Sequence, residues 1–104
     1  MAALVVLTTT DKREDAQRIA RELIERRLAA CVQIVGPVES VYRWQGAVET
    51  TQEWQCLAKT TDDQYAALEA AIVALHSYDT PEIIALPIEQ ASATYLAWLA
   101  GEVG

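Results

Sequence analysis

Ala30-Cys-Val-Gln-Ile-Val-Gly-Pro-Val-Glu-Ser-Val-Tyr-Arg-Trp-Gln-Gly46, running on through Ala47-Val-Glu-Thr-Thr-Gln-Glu-Trp-Gln-Cys-Leu-Ala-Lys-Thr60, decides the fold. β-Branched and aromatic residues fill both arms, and Gln45-Gly46 supplies a turn between them. The stretch therefore predicts one long β-hairpin. Gly36-Pro37 breaks its first arm. Proline cannot donate to a β-ladder, so it belongs on an edge strand or at a bulge. The first arm is expected at the edge of its sheet, bent at Gly36-Pro37.

The flanking segments supply the rest of the fold. Ala3 to Thr9 is short, apolar and β-branched, and reads as a buried strand. Asp11 followed by Glu14 has the spacing of a capping box. Ala16, Ile19, Ala20, Leu23, Ile24 and Leu28 then recur on one face of a helix of about 17 residues. Thr61-Asp-Asp-Gln64 predicts a second capping box, and Tyr65, Leu68, Ile72 and Leu75 form the stripe of a second helix. Ile83 to Ile88 is a fourth strand near Pro81 and Pro87. Ser92 or Thr94 opens a last helix that ends near Gly101. The order β-α-β-β-α-β plus a helix predicts an α+β, ferredoxin-like sandwich with both main helices on one face of the sheet. Residues 1–104 make a single domain with no repeats and no linker.

The hairpin is too long for its cover. Residues 30–45 extend for about 50 Å, while a helix of about 17 residues spans about 25 Å. The tip, with Tyr42 and Trp44, is expected to overhang, with Trp54 further back on the return strand. Exposed aromatic ribbons and open edges invite pairing. Closed homo-oligomerisation is expected, with Tyr42, Trp44 and Trp54 as candidate contacts between chains.

Formal net charge is −7, and all eight Lys and Arg lie in residues 1–60, while residues 61–104 hold seven acids and no Lys or Arg. A phosphate backbone needs clustered cations, so nucleic acid is not an expected partner. No apolar stretch approaches the roughly 20 residues that span a bilayer, and Ala2 to Leu7 is too short for a secretory signal. Membrane association is not expected, and the expected location is cytoplasmic. Cys31 and Cys56 are about four residues out of register across the hairpin, roughly 13 Å. That exceeds the ~7 Å limit for a disulfide, so two reduced, partly buried thiols are expected.

His76-Ser-Tyr-Asp-Thr-Pro-Glu-Ile-Ile-Ala-Leu-Pro-Ile-Glu-Gln90 gathers an imidazole, a phenol and carboxylates around the fourth strand. His76 and Glu82 flank the turn into that strand. Imidazole and carboxylate are common metal ligands, so these two are the candidate metal residues. His76 reads equally as a helix C-terminal residue, Tyr78 as a packing group with its hydroxyl bonded, and Asp79 as a turn residue. No phosphate-binding glycine loop, HExxH or GxSxG is present. One His and two unclustered Cys supply no nucleophile with its base, and no enzyme activity is expected.

Leu28-Ala-Ala-Cys-Val-Gln-Ile34, Ser40-Val-Tyr-Arg-Trp-Gln-Gly46, Lys59-Thr60, the His76-x-Tyr-x-x-Pro-Glu-Ile-Ile-Ala-Leu-Pro87 segment and Tyr95-Leu-Ala-Trp-Leu99 together resemble the CutA divalent-cation tolerance family, over essentially the whole chain. The resemblance implies a homotrimer joined through the long hairpins and a role in tolerance of divalent metal ions, copper above all. It also implies a PII-like fold and assembly. The chain departs from common family residues at Ser77, Thr8 and Ala91. The resemblance requires no cofactor; a divalent cation such as copper is the expected ligand. Three readings follow: a metal-tolerance trimer that binds cations weakly; a PII-like sensor or scaffold holding a small ligand or partner protein at clefts between subunits; and an enzyme acting through His76 and a carboxylate.

Overall fold

The computed structural model describes residues 2–104. Its elements are β1 (Ala3–Thr10), α1 (Arg13–Glu25), β2 (Cys31–Trp44), β3 (Ala47–Thr61), α2 (Asp62–Leu75), β4 (Ile83–Pro87) and α3 (Ala93–Glu102). One four-stranded sheet runs β2-β3-β1-β4, with every neighbouring pair antiparallel. This is the predicted α+β order, and β2 is an edge strand as its proline required.

Alternation along the strands gives the sheet two faces. Leu4, Val6 and Thr8 pair with Thr60, Ala58 and Cys56, and with Pro87, Ala85 and Ile83. Most of that face is buried under α1 and α2, where Ile19, Leu23, Leu68 and Ile72 are fully enclosed. On the opposite face, one row runs Cys31, Lys59, Val5, Leu86, and the next runs Gln33, Leu57, Leu7, Ile84. This second face is partly covered: Val5, Leu7 and Leu57 are half-buried, while Ile84 and Leu86 on β4 are 48% and 52% exposed. β4 is therefore an apolar edge strand, with Ile83 packed against the core and the rest exposed.

The hairpin carries a one-residue bulge, since Val35 faces Gln55 while Val38 faces Glu53. Gly36 is required there: a Cβ would meet Trp54 Cδ1 at 2.4 Å. Trp54, a candidate contact between chains, thus packs within its own hairpin. Beyond the bulge the ribbon overhangs as expected. The molecule measures 45 × 25 × 21 Å, and Tyr42, Trp44, Val41 and Val48 stand exposed.

Helix ends differ from expectation in instructive ways. α1 has 13 residues and begins after Lys12, with no side-chain cap. The Thr10 hydroxyl instead donates to the Lys12 carbonyl at 2.9 Å. The helix stops at Glu25 in a Schellman turn: Leu28 N–H donates to Leu23 O, and Arg27 N–H to Ile24 O, with Arg27 left-handed at φ 58°. Leu28 reaches the core from beyond this turn rather than from the helix. Arg27 also donates to Gly101 O at 3.0 Å and Gly104 O at 3.2 Å, which caps α3 from outside its own sequence. α2 likewise lacks the Thr61 hydroxyl cap. Asp62 accepts from Ala2 N–H at 3.0 Å and so ties the helix start to β1. Ser92 does cap α3, accepting from Tyr95 N–H.

Cys31 lies opposite Lys59 and Cys56 opposite Ile34, three residues out of register. Both are free thiols; Cys31 is partly exposed and Cys56 fully buried. Burial pushes the Cys56 thiol up to about 11 from 9.0. No helix is long and apolar enough to cross a membrane among the described residues.

Candidate functional site

His76 follows the last residue of α2 as its C-cap, and its backbone N–H still donates to Ile72 O. The chain then crosses the end of the sheet to reach β4. The imidazole fixes this crossing. Its Nε2 lies 2.7 Å from Thr9 O, and its Nδ1 accepts from Tyr78 N–H at 3.1 Å. A carbonyl can only accept, so Nε2 carries the proton and the ring is the neutral Nε2–H tautomer. Both ring nitrogens are thus committed within the chain. The Tyr78 ring sits beside it, with centroids 4.7 Å apart.

Tyr78 extends the connection to β3. Its hydroxyl donates to Glu53 Oε2 at 2.7 Å. Glu53 is 6% exposed, a carboxylate buried on a strand. Burial, then the bond to Glu53, hold the Tyr78 phenol well above its usual range. The expectation that Tyr78 packs with its hydroxyl bonded agrees with this geometry. Its partner could not be read from the sequence. Glu53 pairs with Val38, just beyond the bulge, and its bonded partner Tyr78 comes from the 76–82 connection.

These residues line a cleft of 580 Å³. Tyr42 and Trp44 reach it from the hairpin overhang, Tyr78, Asp79 and Glu82 from the connection to β4, and Glu53 from β3. Tyr42 is itself oriented by the Thr51 hydroxyl, which donates to the Tyr42 oxygen at 3.0 Å. Glu82 is exposed and unbonded among the described residues, while His76 is turned into the fold. The two candidate metal residues therefore differ sharply in their freedom to bind.

A metal needs several donors converging at once. Among the described residues, no three His, Cys, Asp or Glu side chains come close enough to hold one. One chain by itself does not fit a metal centre.

A family model described as "CutA1 divalent ion tolerance protein" matches residues 4–102. The chain is 48% identical over 100 residues to a Thermus thermophilus protein named "Divalent-cation tolerance protein CutA", covering 96% of this chain and 97% of that one. It is 43% identical over 97 residues to the rice "Protein CutA 1, chloroplastic", covering 93% of this chain and 55% of that longer protein. A solved Thermus thermophilus structure described as a divalent cation tolerance protein superposes with a TM-score of 0.96 at 47% identity, covering 98% of this chain and 99% of that one. The antiparallel sheet, the overhanging hairpin and these matches lead to one conclusion: the chain belongs to the CutA1 divalent ion tolerance protein family.

Proposed function

We propose that this chain works as a homotrimer in the cytoplasm, in tolerance of divalent cations with copper foremost, by weak metal association and without catalysis. The observation that carries the tolerance role is the family match across residues 4–102. The trimer is supported by the incompletely covered sheet face, exposed at Ile84 and Leu86. Its rows hold Val5, Leu7, Leu57, Ile84 and Leu86, flanked by two open edge strands and an exposed aromatic hairpin. Apolar surface and unpaired edges of this kind are covered by partners in stable proteins. A closed ring of identical chains covers both at once.

Because one chain lacks converging donors, a copper site has to be completed by a neighbour. Glu82 is free to contribute. His76 reaches a metal only by giving up the Tyr78 N–H or the Thr9 carbonyl. Calorimetric titration of Cu²⁺ into the wild type, Glu82→Gln and His76→Ala tests this. Glu82→Gln is expected to weaken binding. Equal binding by all three proteins removes both residues from the site.

The second reading, a PII-like sensor or scaffold with a small ligand or partner protein at clefts between subunits, draws on a cleft that one chain outlines and a neighbour has to complete. The 580 Å³ cleft falls within the ~300–1,000 Å³ usual for small-molecule sites.

A further inference from the structure

A bonded path crosses from the body of the sheet to the hairpin overhang. Thr9 O on β1 accepts from His76 Nε2–H at 2.7 Å, and His76 Nδ1 accepts from Tyr78 N–H at 3.1 Å. The Tyr78 hydroxyl then donates to Glu53 Oε2 at 2.7 Å. Glu53 stands opposite Val38, the first pair of the ladder beyond the bulge. The path therefore ends at the root of the overhang.

Among the described residues, the Tyr78–Glu53 bond is the one side-chain hydrogen bond from residues 38–53 to any part of the chain outside the hairpin. The other side-chain bond of that stretch, Thr51 to Tyr42, stays within it. A bulge bends and twists its strand. A tie placed just beyond it governs the angle at which the overhang leaves the sheet.

The metal reading asks something different of the same imidazole. A ring whose Nε2–H is held by a carbonyl would suit a ligand, but a ligand nitrogen also needs a free lone pair. The one lone pair of this neutral ring already accepts from Tyr78 N–H. We infer that His76 is a positioning residue for assembly and not a cation ligand. Its ring latches the connection into β4, and through Tyr78 and Glu53 it sets the pose of the overhang that meets neighbouring chains. The assembly role rests on the closed homo-oligomer proposed above. Every bond of the path lies within one chain, so the latch itself stands whether or not a neighbour covers it.

The test has two arms, both on the full chain. In the first, ¹H–¹⁵N NMR reads the imidazole tautomer and the hydrogen exchange of the Tyr78 amide. The ring is expected as Nε2–H, unchanged by excess Zn²⁺. His76→Ala is expected to speed exchange of the Tyr78 amide roughly tenfold, the equivalent of one hydrogen bond. His76→Asn puts a side-chain oxygen in place of Nδ1 and is expected to stay within about threefold of wild type. An Nδ1–H ring, a ring nitrogen that shifts on adding Zn²⁺, or a Tyr78 amide indifferent to His76→Ala overturns the inference.

In the second arm, light scattering on dilution in guanidinium chloride reads the concentration at which half of the assembly has dissociated. His76→Ala and Tyr78→Phe are each expected to raise it roughly fivefold or more. Because they cut one path, the double variant is expected within about twofold of the larger single effect. Should His76→Ala fail to fold, His76→Gln replaces it in both arms, since it keeps a donor toward Thr9 but has no acceptor for Tyr78 N–H. An assembly indifferent to both single variants, or effects that multiply in the double variant, overturns the assembly role alone. A wild type that is monomeric overturns that role together with the closed-assembly reading.

Discussion

Removing the Tyr78 hydroxyl is expected to expose how the β4 connection is held. Tyr78→Phe deletes the donor 2.7 Å from Glu53 Oε2 and leaves that carboxylate, 6% exposed, without its side-chain partner. A hydrogen bond to a charged group contributes about 1.5–3 kcal/mol, and the stranded charge sets the loss toward the upper part of that range. Glu53→Gln keeps an acceptor but removes the charge, and charge-assisted bonds are roughly twice as strong as neutral ones. Tyr78→Phe should therefore cost about half as much in the Glu53→Gln background, a coupling of about 1 kcal/mol in a double-mutant cycle. Guanidinium chloride unfolding of the four proteins measures this, at one fixed protein concentration because assembly contributes to apparent stability. Tyr78→Phe within about 0.5 kcal/mol of wild type, or strict additivity, refutes the reasoning. The pH dependence has a definite sign. The phenol's folded pKa lies above its free value of 10.0. Its contribution is fully present below pH 10 and is lost as pH climbs through the raised folded value.

Three further outcomes follow from single side chains. The Cys56 thiol is raised from 9.0 to about 11; stability is expected to fall by about 2–3 kcal/mol as pH rises from 9 to 11, read by denaturant unfolding against Cys56→Ala. The Thr8 hydroxyl is 1% exposed and unpartnered, so Thr8→Val is expected to stabilise by about 1 kcal/mol; destabilisation in the same assay shows that the hydroxyl has a partner in solution. Gly36→Ala drives a methyl to 2.4 Å from the Trp54 ring. Its expected cost is about 1–3 kcal/mol, with a change in indole fluorescence, and a silent substitution contradicts the packing of Trp54 on Gly36.

The order of elements was legible because each carried its own period. Leu68 and Ile72 lie on the buried face of α2, and Pro37 marks the bulge of an edge strand. Helix ends were less legible. Leu28 continues the apolar spacing of α1 although the chain has already turned at Arg27, because spacing records burial and not backbone path. Neither expected capping box forms: α1 is capped at Lys12 rather than Asp11, Thr61 makes no side-chain cap, and Asp62 ties the start of α2 to Ala2, 60 residues away. Long-range bonds explain the candidate site as well. His76 was legible as chemistry, but its commitment to Thr9, 67 residues distant, was not. Glu53 carried no signal at all, since its bonded partner Tyr78 lies 25 residues further along the chain. The three aromatic and three acidic residues of the cleft come from three separate segments, and only the fold brings them together.

Assembly is the point on which the functional proposal rests, since the open apolar face and any copper site both need neighbouring chains. Light scattering on the purified chain at micromolar concentration measures it directly. The expected mass is three times that of the 11.4 kDa chain, unchanged on dilution. A mass of one chain contradicts closed assembly and leaves Val5, Leu57, Ile84 and Leu86 without the cover proposed for them.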